Sequence, residues 1–169
     1  MGEVKIRKWK ISDAESLQKI ANNKSVSRFL LDRFPYPYTM ESARNFLEFA
    51  TNSQIKYLFA IEVNQELVGG IEIQLLTENY VNNGELGFWL GEAYWGQGIA
   101  KSAIVQITKK AFAETHITRI IAKTFGENIA SQNLLLKCGF SKEAEFKDAL
   151  LKDGKIYDEY VFTLKRKNH

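Results

Sequence analysis

Between Glu85 and Ile104 the chain reads E-L-G-F-W-L-G-E-A-Y-W-G-Q-G-I-A-K-S-A-I, and this stretch limits the fold more than any other. Leu86, Phe88 and Leu90 alternate with Glu85, Gly87 and Trp89, the period-2 pattern of a strand with one apolar face. A turn carrying Gly96 and Gly98 follows, and Ala100, Ala103, Ile104, Ile107 and Ala111 then recur at helical spacing. A strand that passes through a glycine turn into a helix leaves unpaired backbone N–H groups at the positive end of the helix dipole. Such a place suits an anionic group, phosphate in particular.

Two glycines also make a tight strand-to-helix connection with no ligand at all, so the motif alone does not decide between the two. It is not the dinucleotide fingerprint G-x-G-x-x-G, because Lys101 stands at the third glycine position. Nor is it a P-loop, since no G-K-S/T follows.

Around this stretch the rest of the chain falls into short elements. Val4–Trp9 reads as a strand, and Ser12-Asp13-Ala14-Glu15 as a capping box opening a helix with Leu17, Ile20 and Ala21 inward. A less regular segment ends in L-D-R-F-P-Y-P-Y-T, where Pro35 and Pro37 prevent a helix from continuing. Thr39 is the expected N-cap of a second helix, buried through Ala43, Phe46, Leu47 and Ala50. Lys56–Val63 and Leu67–Leu76 read as strands joined at Asn64-Gln65-Glu66. Asn83-Gly84 is expected to turn the chain into the strand of Glu85–Leu90. Thr118–Thr124 is a short strand, and Asn128 caps a helix that ends at Gly139. Ser141–Leu150 and Lys155–Leu164 form a hairpin closed by Asp153-Gly154.

The expected order is thus β-α-α-β-β-β-α-β-α-β-β, an α/β (α+β) fold read as one domain over residues 1–169. Successive hairpins imply antiparallel pairing, and the strand–helix–strand unit implies one parallel pair. The sheet is then mixed, twisted and mostly antiparallel, with about seven strands and helices on both faces.

Composition closes off several function classes. With 169 residues, 45% hydrophobic and 25% charged, the chain has enough apolar side chains for a sizeable core. A net charge of +3 without a clustered basic face argues against nucleic acid. The K-R-K-N-H end reads as a solvated tail, with a mobile His169. One cysteine, Cys138, rules out an internal disulfide framework and suits a reducing compartment; its context is that of a buried structural thiol. The first residues lack the apolar core of a signal peptide, and no run approaches membrane-spanning length. The expectation is a cytoplasmic protein that touches no membrane. Met1-Gly2 alone is a weak myristoylation cue, because Ile6 stands where the pattern wants Ser or Thr. His116 and His169 have no metal-ligand spacing, so no metal is expected.

Several separated motifs, in order, resemble the GNAT superfamily of acyl-CoA-dependent N-acetyltransferases. They are the strand E-L-G-F-W-L, the loop Y-W-G-Q-G-I-A and the later N-I-A-S-Q-N-L-L-L-K-C-G-F. The likeness is closest to the ribosomal-protein-alanine (RimJ/RimL-type) branch, through Phe34–Thr39 and the G-x-x-x-D-x-x-x-x-x-L strand at Gly154–Leu164. In that family the loop usually begins with Gln or Arg, where this chain has Trp95.

The resemblance implies acetyl-CoA as cosubstrate, with its pyrophosphate held by the backbone of Gly96, Gln97, Gly98, Ile99, Ala100 and Lys101. The pantetheine arm would run along Phe88, Trp89 and Leu90 as a missing strand. A bulge in that strand is implied, as is a backbone N–H near Leu90 that polarises the thioester carbonyl. Asn128 would contact the arm from the next helix. Glu85 is implied as the base that deprotonates the acceptor ammonium, although a solvent-facing strand glutamate is an equal reading. Glu72 is a second carboxylate. Leu135 occupies the place where many relatives carry a tyrosine acid, so Ser131, a water or another residue serves there, or no acid is needed because a thiolate is already a fair leaving group. Arg33, Tyr36, Tyr38 and Glu72 are expected to wall the acceptor pocket, while a rigid proline connection would explain the same loop.

The acceptor is expected to be a primary amine, either a protein N-terminal α-amino group or a small molecule such as a polyamine, amino acid or antibiotic. A non-catalytic acyl-CoA-binding module is the rival from another class. Monomer and homodimer both stay open, since the last hairpin offers an exposed strand.

Overall fold

A computed structural model describes residues 2–167. Asn168 and His169, and with them the end of the basic tail, lie outside the described residues. The strands are β1 (Val4–Arg7), β2 (Leu58–Val63), β3 (Glu66–Leu75), β4 (Asn83–Leu90), β5 (Arg119–Phe125), β6 (Ser141–Lys152) and β7 (Lys155–Lys165). The helices are α1 (Ala14–Ala21), α2 (Lys24–Ser27), α3 (Met40–Asn52), α4 (Ile99–Glu114) and α5 (Ile129–Lys137). One seven-stranded sheet runs in the order β1-β2-β3-β4-β5-β7-β6, which places β4 at its centre. Only β4 and β5 are parallel, and α4 makes the crossover between them.

The pleat sorts side chains onto two cores. Ile71, Ile73, Leu86, Leu90, Ile120, Ala122 and Phe162 pack with Ile99, Ile104 and Ile107 of α4 and Leu135 of α5. On the opposite face Leu58, Ala60 and Trp9 pack with Leu17 and Ala21 of α1 and Ala43 and Leu47 of α3. Each fully buried aliphatic side chain contributes roughly 1.5–3 kcal/mol. Gly70 serves the second face: a Cβ there would stand 2.7 Å from Trp89 Nε1, so only glycine lets the indole lie across β3.

Local signals behave mostly as read. Thr39 Oγ1 accepts from Ser42 N at 3.0 Å and starts α3. Asn64 and Gln65 take positive φ in the β2–β3 turn, and Asp153-Gly154 closes the β6–β7 hairpin with φ of 50° and 74°.

Four expectations are corrected. The capping box at Ser12–Glu15 does not form, because Asp13 turns back to accept from Lys10 N at 2.9 Å and from Arg7 at 2.9 Å. Arg7, bound also to Glu62, claims the carboxylate and holds β1 and β2 to this turn. The irregular segment contains one more helix, α2, whose N-cap Asn23 accepts from Ser25 N at 2.8 Å and Val26 N at 3.3 Å. Asn83-Gly84 belongs to β4, and the turn lies before it. Finally, β3 and β4 pair without a register shift from Gly69↔Leu90 to Leu75↔Gly84, so β4 has no bulge against β3.

Candidate active site

The parallel pair stays together only from Asn83↔Arg119 to Leu86↔Ala122. Beyond that, β4 follows β3 as far as Leu90, while β5 follows β7 as far as Phe125. The two middle strands therefore part, and a gap opens between Gly87–Leu90 and Lys123–Phe125. Which backbone groups face the gap follows from the ladder. Gly91 N donates to Val68 O at 2.9 Å and Leu76 N to Asn83 O at 3.0 Å, so the odd residues of β4 face β3. The N–H and C=O of Phe88 and the N–H of Leu90 consequently turn into the gap. A sheet centre with unmatched backbone groups needs a partner.

The glycine turn closes one end of this gap. Gly96 and Gly98 have φ of 72° and 75°, left-handed conformations that side-chain-bearing residues adopt at a cost. Gly98 is the N-cap of α4, and Ile99, 1% exposed, pins the first turn into the core. Among the described residues no acceptor meets the N–H groups of Gly96 through Lys101. These free donors at the start of a 16-residue helix form a cradle for phosphate oxygens. Trp95 Nε1 donates to Leu90 O at 2.9 Å and ties the cradle to the end of the parted strand. Gln97 Nε2 reaches back to Ala93 O at 2.9 Å and tightens the same turn.

The start of α5 stands at the other lip. Asn128 Oδ1 accepts from Ser131 N at 3.2 Å, and Asn128 N donates to Phe125 O at 2.9 Å. Leu135, wholly buried, is a core side chain. Cys138 is half-buried; desolvation raises its pKa, and Lys101 partly offsets this. Thr124 Oγ1, buried on the α4 and α5 side of β5, has no hydrogen-bond partner.

Two carboxylates occupy the opposite face. Glu72 is the cross-strand partner of Gly87, and its Oε1 would lie 3.3 Å from a Cβ placed there. It therefore sits over the first β4 residue of the gap, and Arg33 Nη2 donates to it at 2.8 Å. Glu85 pairs with Lys123 at 3.3 Å and lies in the still-closed part of the β4–β5 ladder. Leu90 lies five residues beyond Glu85, about 16 Å along the strand at about 3.3 Å per residue.

Above the parted ends on this face is a groove of about 890 Å³. One wall is α2 and the following loop, with Lys24, Arg28, Asp32, Phe34 and Tyr36. The other is the β6–β7 tip, with Lys152, Asp153 and Tyr157. Its base is aromatic: Phe34 packs on Trp89 of β4 at 5.1 Å, and Tyr157 on Phe125 of β5 at 5.2 Å. One ring from each wall of the groove thus packs on one of the two parted strands. Of the four residues expected around an acceptor, Tyr36 lines this groove, whereas Arg33 and Glu72 do not. Tyr38 does not, being buried against Phe34 in the second core, where burial pushes its phenol up to about 12.

A family model described as Acetyltransferase (GNAT) domain matches residues 3–141. The chain belongs to that family. It is therefore an N-acetyltransferase, moving an acetyl group from acetyl-CoA to an amine. Among relatives, the uncharacterized N-acetyltransferase p20 of Bacillus licheniformis is 24% identical, covering 97% of this chain and 93% of that one. Among solved structures, the ribosomal-protein α-N-acetyltransferase RimL in complex with coenzyme A superposes with a TM-score of 0.85 at 21% identity. It covers 96% of this chain and 93% of its own. The microcin self-immunity acetyltransferase MccE, in complex with acetyl-CoA and AMP, gives a TM-score of 0.84 at 20% identity over 97% and 93%.

The GNAT fold accounts for the gap, the glycine cradle and the helices that flank them. What sequence reasoning did not single out is the groove's cationic lining, Lys24, Arg28 and Lys152. These residues are 128 positions apart at most and join only through the approach of α2 to the last hairpin. No described helix is long and apolar enough to cross a membrane, and no cluster of three metal-ligating side chains occurs among the described residues.

Proposed function

We propose that the chain acetylates a primary amine by direct transfer, with acetyl-CoA in the gap and the acceptor in the groove. The observation that carries this reading is the loss of β4–β5 pairing after Leu86↔Ala122, with the gap ending at the α4 cradle. Acetyl-CoA supplies an activated acyl group. The N–H groups of Gly96 to Lys101 bind its pyrophosphate, and Phe88 and Leu90 give the pantetheine arm a strand edge. The N–H of Leu90 stabilises negative charge on the thioester oxygen as the amine adds. The amine nitrogen forms the C–N bond, the C–S bond breaks, and the sulfur leaves as thiolate.

Before attack the acceptor ammonium loses a proton. Glu72, over Gly87 at the mouth of the gap, is the nearer carboxylate, acting through water while Arg33 orients it. Glu85 stands further back and serves as a second station on a water path. Asn128 holds the first turn of α5, and the Ser131 hydroxyl in that turn is our candidate to protonate the departing thiolate.

The groove has the size of a small-molecule site, which favours a small acceptor over a protein N-terminus. Such chemistry belongs in the cytoplasm, where acetyl-CoA is made and used. A panel of amines and peptides, read by release of free thiol from acetyl-CoA, tests this reading. Transfer to small amines supports it, and thiol release only with peptides contradicts the choice of acceptor.

A further inference from the structure

Lysines at hairpin tips are normally exposed. In the β6–β7 tip Leu151 is 70% exposed while Lys152 is 7% exposed. The Lys152 ammonium donates to Leu30 O at 2.6 Å and to Asp32 Oδ1 at 3.3 Å. Of its three N–H groups one is left without a partner among the described residues. The first acceptor is a neutral carbonyl. The second belongs to a carboxylate whose side chain is 81% exposed and therefore screened by water. A buried cation on a groove wall is thus only partly compensated, and an anion beside it would complete its shell.

The rest of the lining points the same way. Arg28, on the facing wall, has its nearest carboxylate, Glu127, at 3.9 Å, and Glu127 is engaged more closely by Lys155 at 2.7 Å. Lys24 has no carboxylate partner among the described residues. Three cations line the groove against the two carboxylates Asp32 and Asp153, and Asp32 is already engaged by Lys152.

We propose that the acceptor amine also carries an anionic group, a carboxylate or a phosphate, which Lys152 and Arg28 bind while the amino group points into the gap. This rests on the groove being the acceptor site. The amino end lies against Phe34 and Tyr157, the groove rings that pack on Trp89 of β4 and Phe125 of β5, and the anionic end lies against the cationic walls. A polyamine fits poorly, because its further ammonium groups would face Lys24, Arg28 and Lys152 at close range.

Matched pairs of acceptors test this. An α-amino acid is compared with the amine left by its decarboxylation, an aminoalkyl phosphate with its aminoalkanol, and spermidine stands apart. For the wild-type chain the anionic member of at least one pair has a kcat/KM ten-fold or more above its neutral partner, mostly through KM. The two pairs separate carboxylate from phosphate. Lys152→Met reduces that ratio at least five-fold, and Lys152→Arg restores most of it. Arg28→Gln gives a second reduction on an exposed residue whose loss leaves folding intact, so a Lys152→Met chain that fails to fold still leaves a test. Preference for neutral amines, for spermidine or for peptides overturns the proposal, as does a ratio unchanged in both variants. Thiol release from no amine at all overturns instead the reading on which it rests.

Discussion

Trp95 and Leu90 hold the two halves of the site together: the indole N–H of the glycine turn donates to the last carbonyl of β4 at 2.9 Å. The cradle for phosphate and the strand edge beside the thioester are thereby fixed at one distance. Trp95→Phe keeps the ring and removes the bond. The expected result is acetyl-CoA binding weakened about five-fold, near 1 kcal/mol, in calorimetric titration, with melting changed little.

Gly98 tests the cradle itself. Its φ of 75° makes Gly98→Ala cost about 1 kcal/mol of stability through backbone strain alone. The strain falls on the backbone that offers its N–H groups to phosphate. Loss of acetyl-CoA affinity should therefore exceed ten-fold, well beyond what a melting curve reports. Gly154→Ala, at a similar φ of 74° in the distant hairpin turn, should cost stability and leave cofactor affinity alone.

The two carboxylates are separable by pH–rate profiles. Glu72→Gln should lower kcat at neutral pH by a factor of 10² or more, and raising the pH should recover part of it as free amine accumulates. Glu85→Gln, about 16 Å from Leu90 along the strand, should lose less than Glu72→Gln. The reverse ranking would return the base to Glu85. Both variants should bind acetyl-CoA as the wild type does.

Tyr38 carries an alkaline prediction. Its phenol has a reference pKa of 10.0 and in the fold is pushed up to about 12 by burial. The folded pKa is raised, so the stabilisation is complete below pH 10 and is lost as pH rises through 12. In melts from pH 9 to 12, Tyr38→Phe should lose less stability than the wild type, which forfeits up to about 2–3 kcal/mol. Parallel curves would exclude Tyr38 as the cause.

Thr124 offers a gain. Its buried hydroxyl has no partner, so Thr124→Val should raise the melting temperature, by about 1 kcal/mol of stability. A lower melting temperature would mean that the hydroxyl is bonded after all, through water.

The sequence is most legible where one stretch contains both cause and effect. Gly96, Gly98, the apolar stripe of α4 and the alternation in β4 are local patterns, and each element formed where its pattern lies. Thr39 and Asn128 cap their helices because capping needs only the next three residues. Legibility fails where a distant partner outbids a local one. Arg7 takes the Asp13 carboxylate and the capping box is lost. Helix α2 is four residues long, too short for any periodicity, and only its cap Asn23 betrays it. The parting of β4 from β5 arises without a bulge, from β5 holding to β7, which no pattern within β4 records. The groove is harder still, since the burial of Lys152 depends on where the tip of a hairpin meets a loop 120 residues earlier.

The central claim is that the unpaired edge of β4 receives the pantetheine arm. Backbone amide resonances of β4, followed while acetyl-CoA is added, test it most directly. Phe88 and Leu90 should shift and gain protection from hydrogen exchange, whereas Gly87 and Trp89, already bonded to β3, should change little. Binding that leaves the Phe88 and Leu90 amides unaffected, or that protects only the groove walls, would contradict the account.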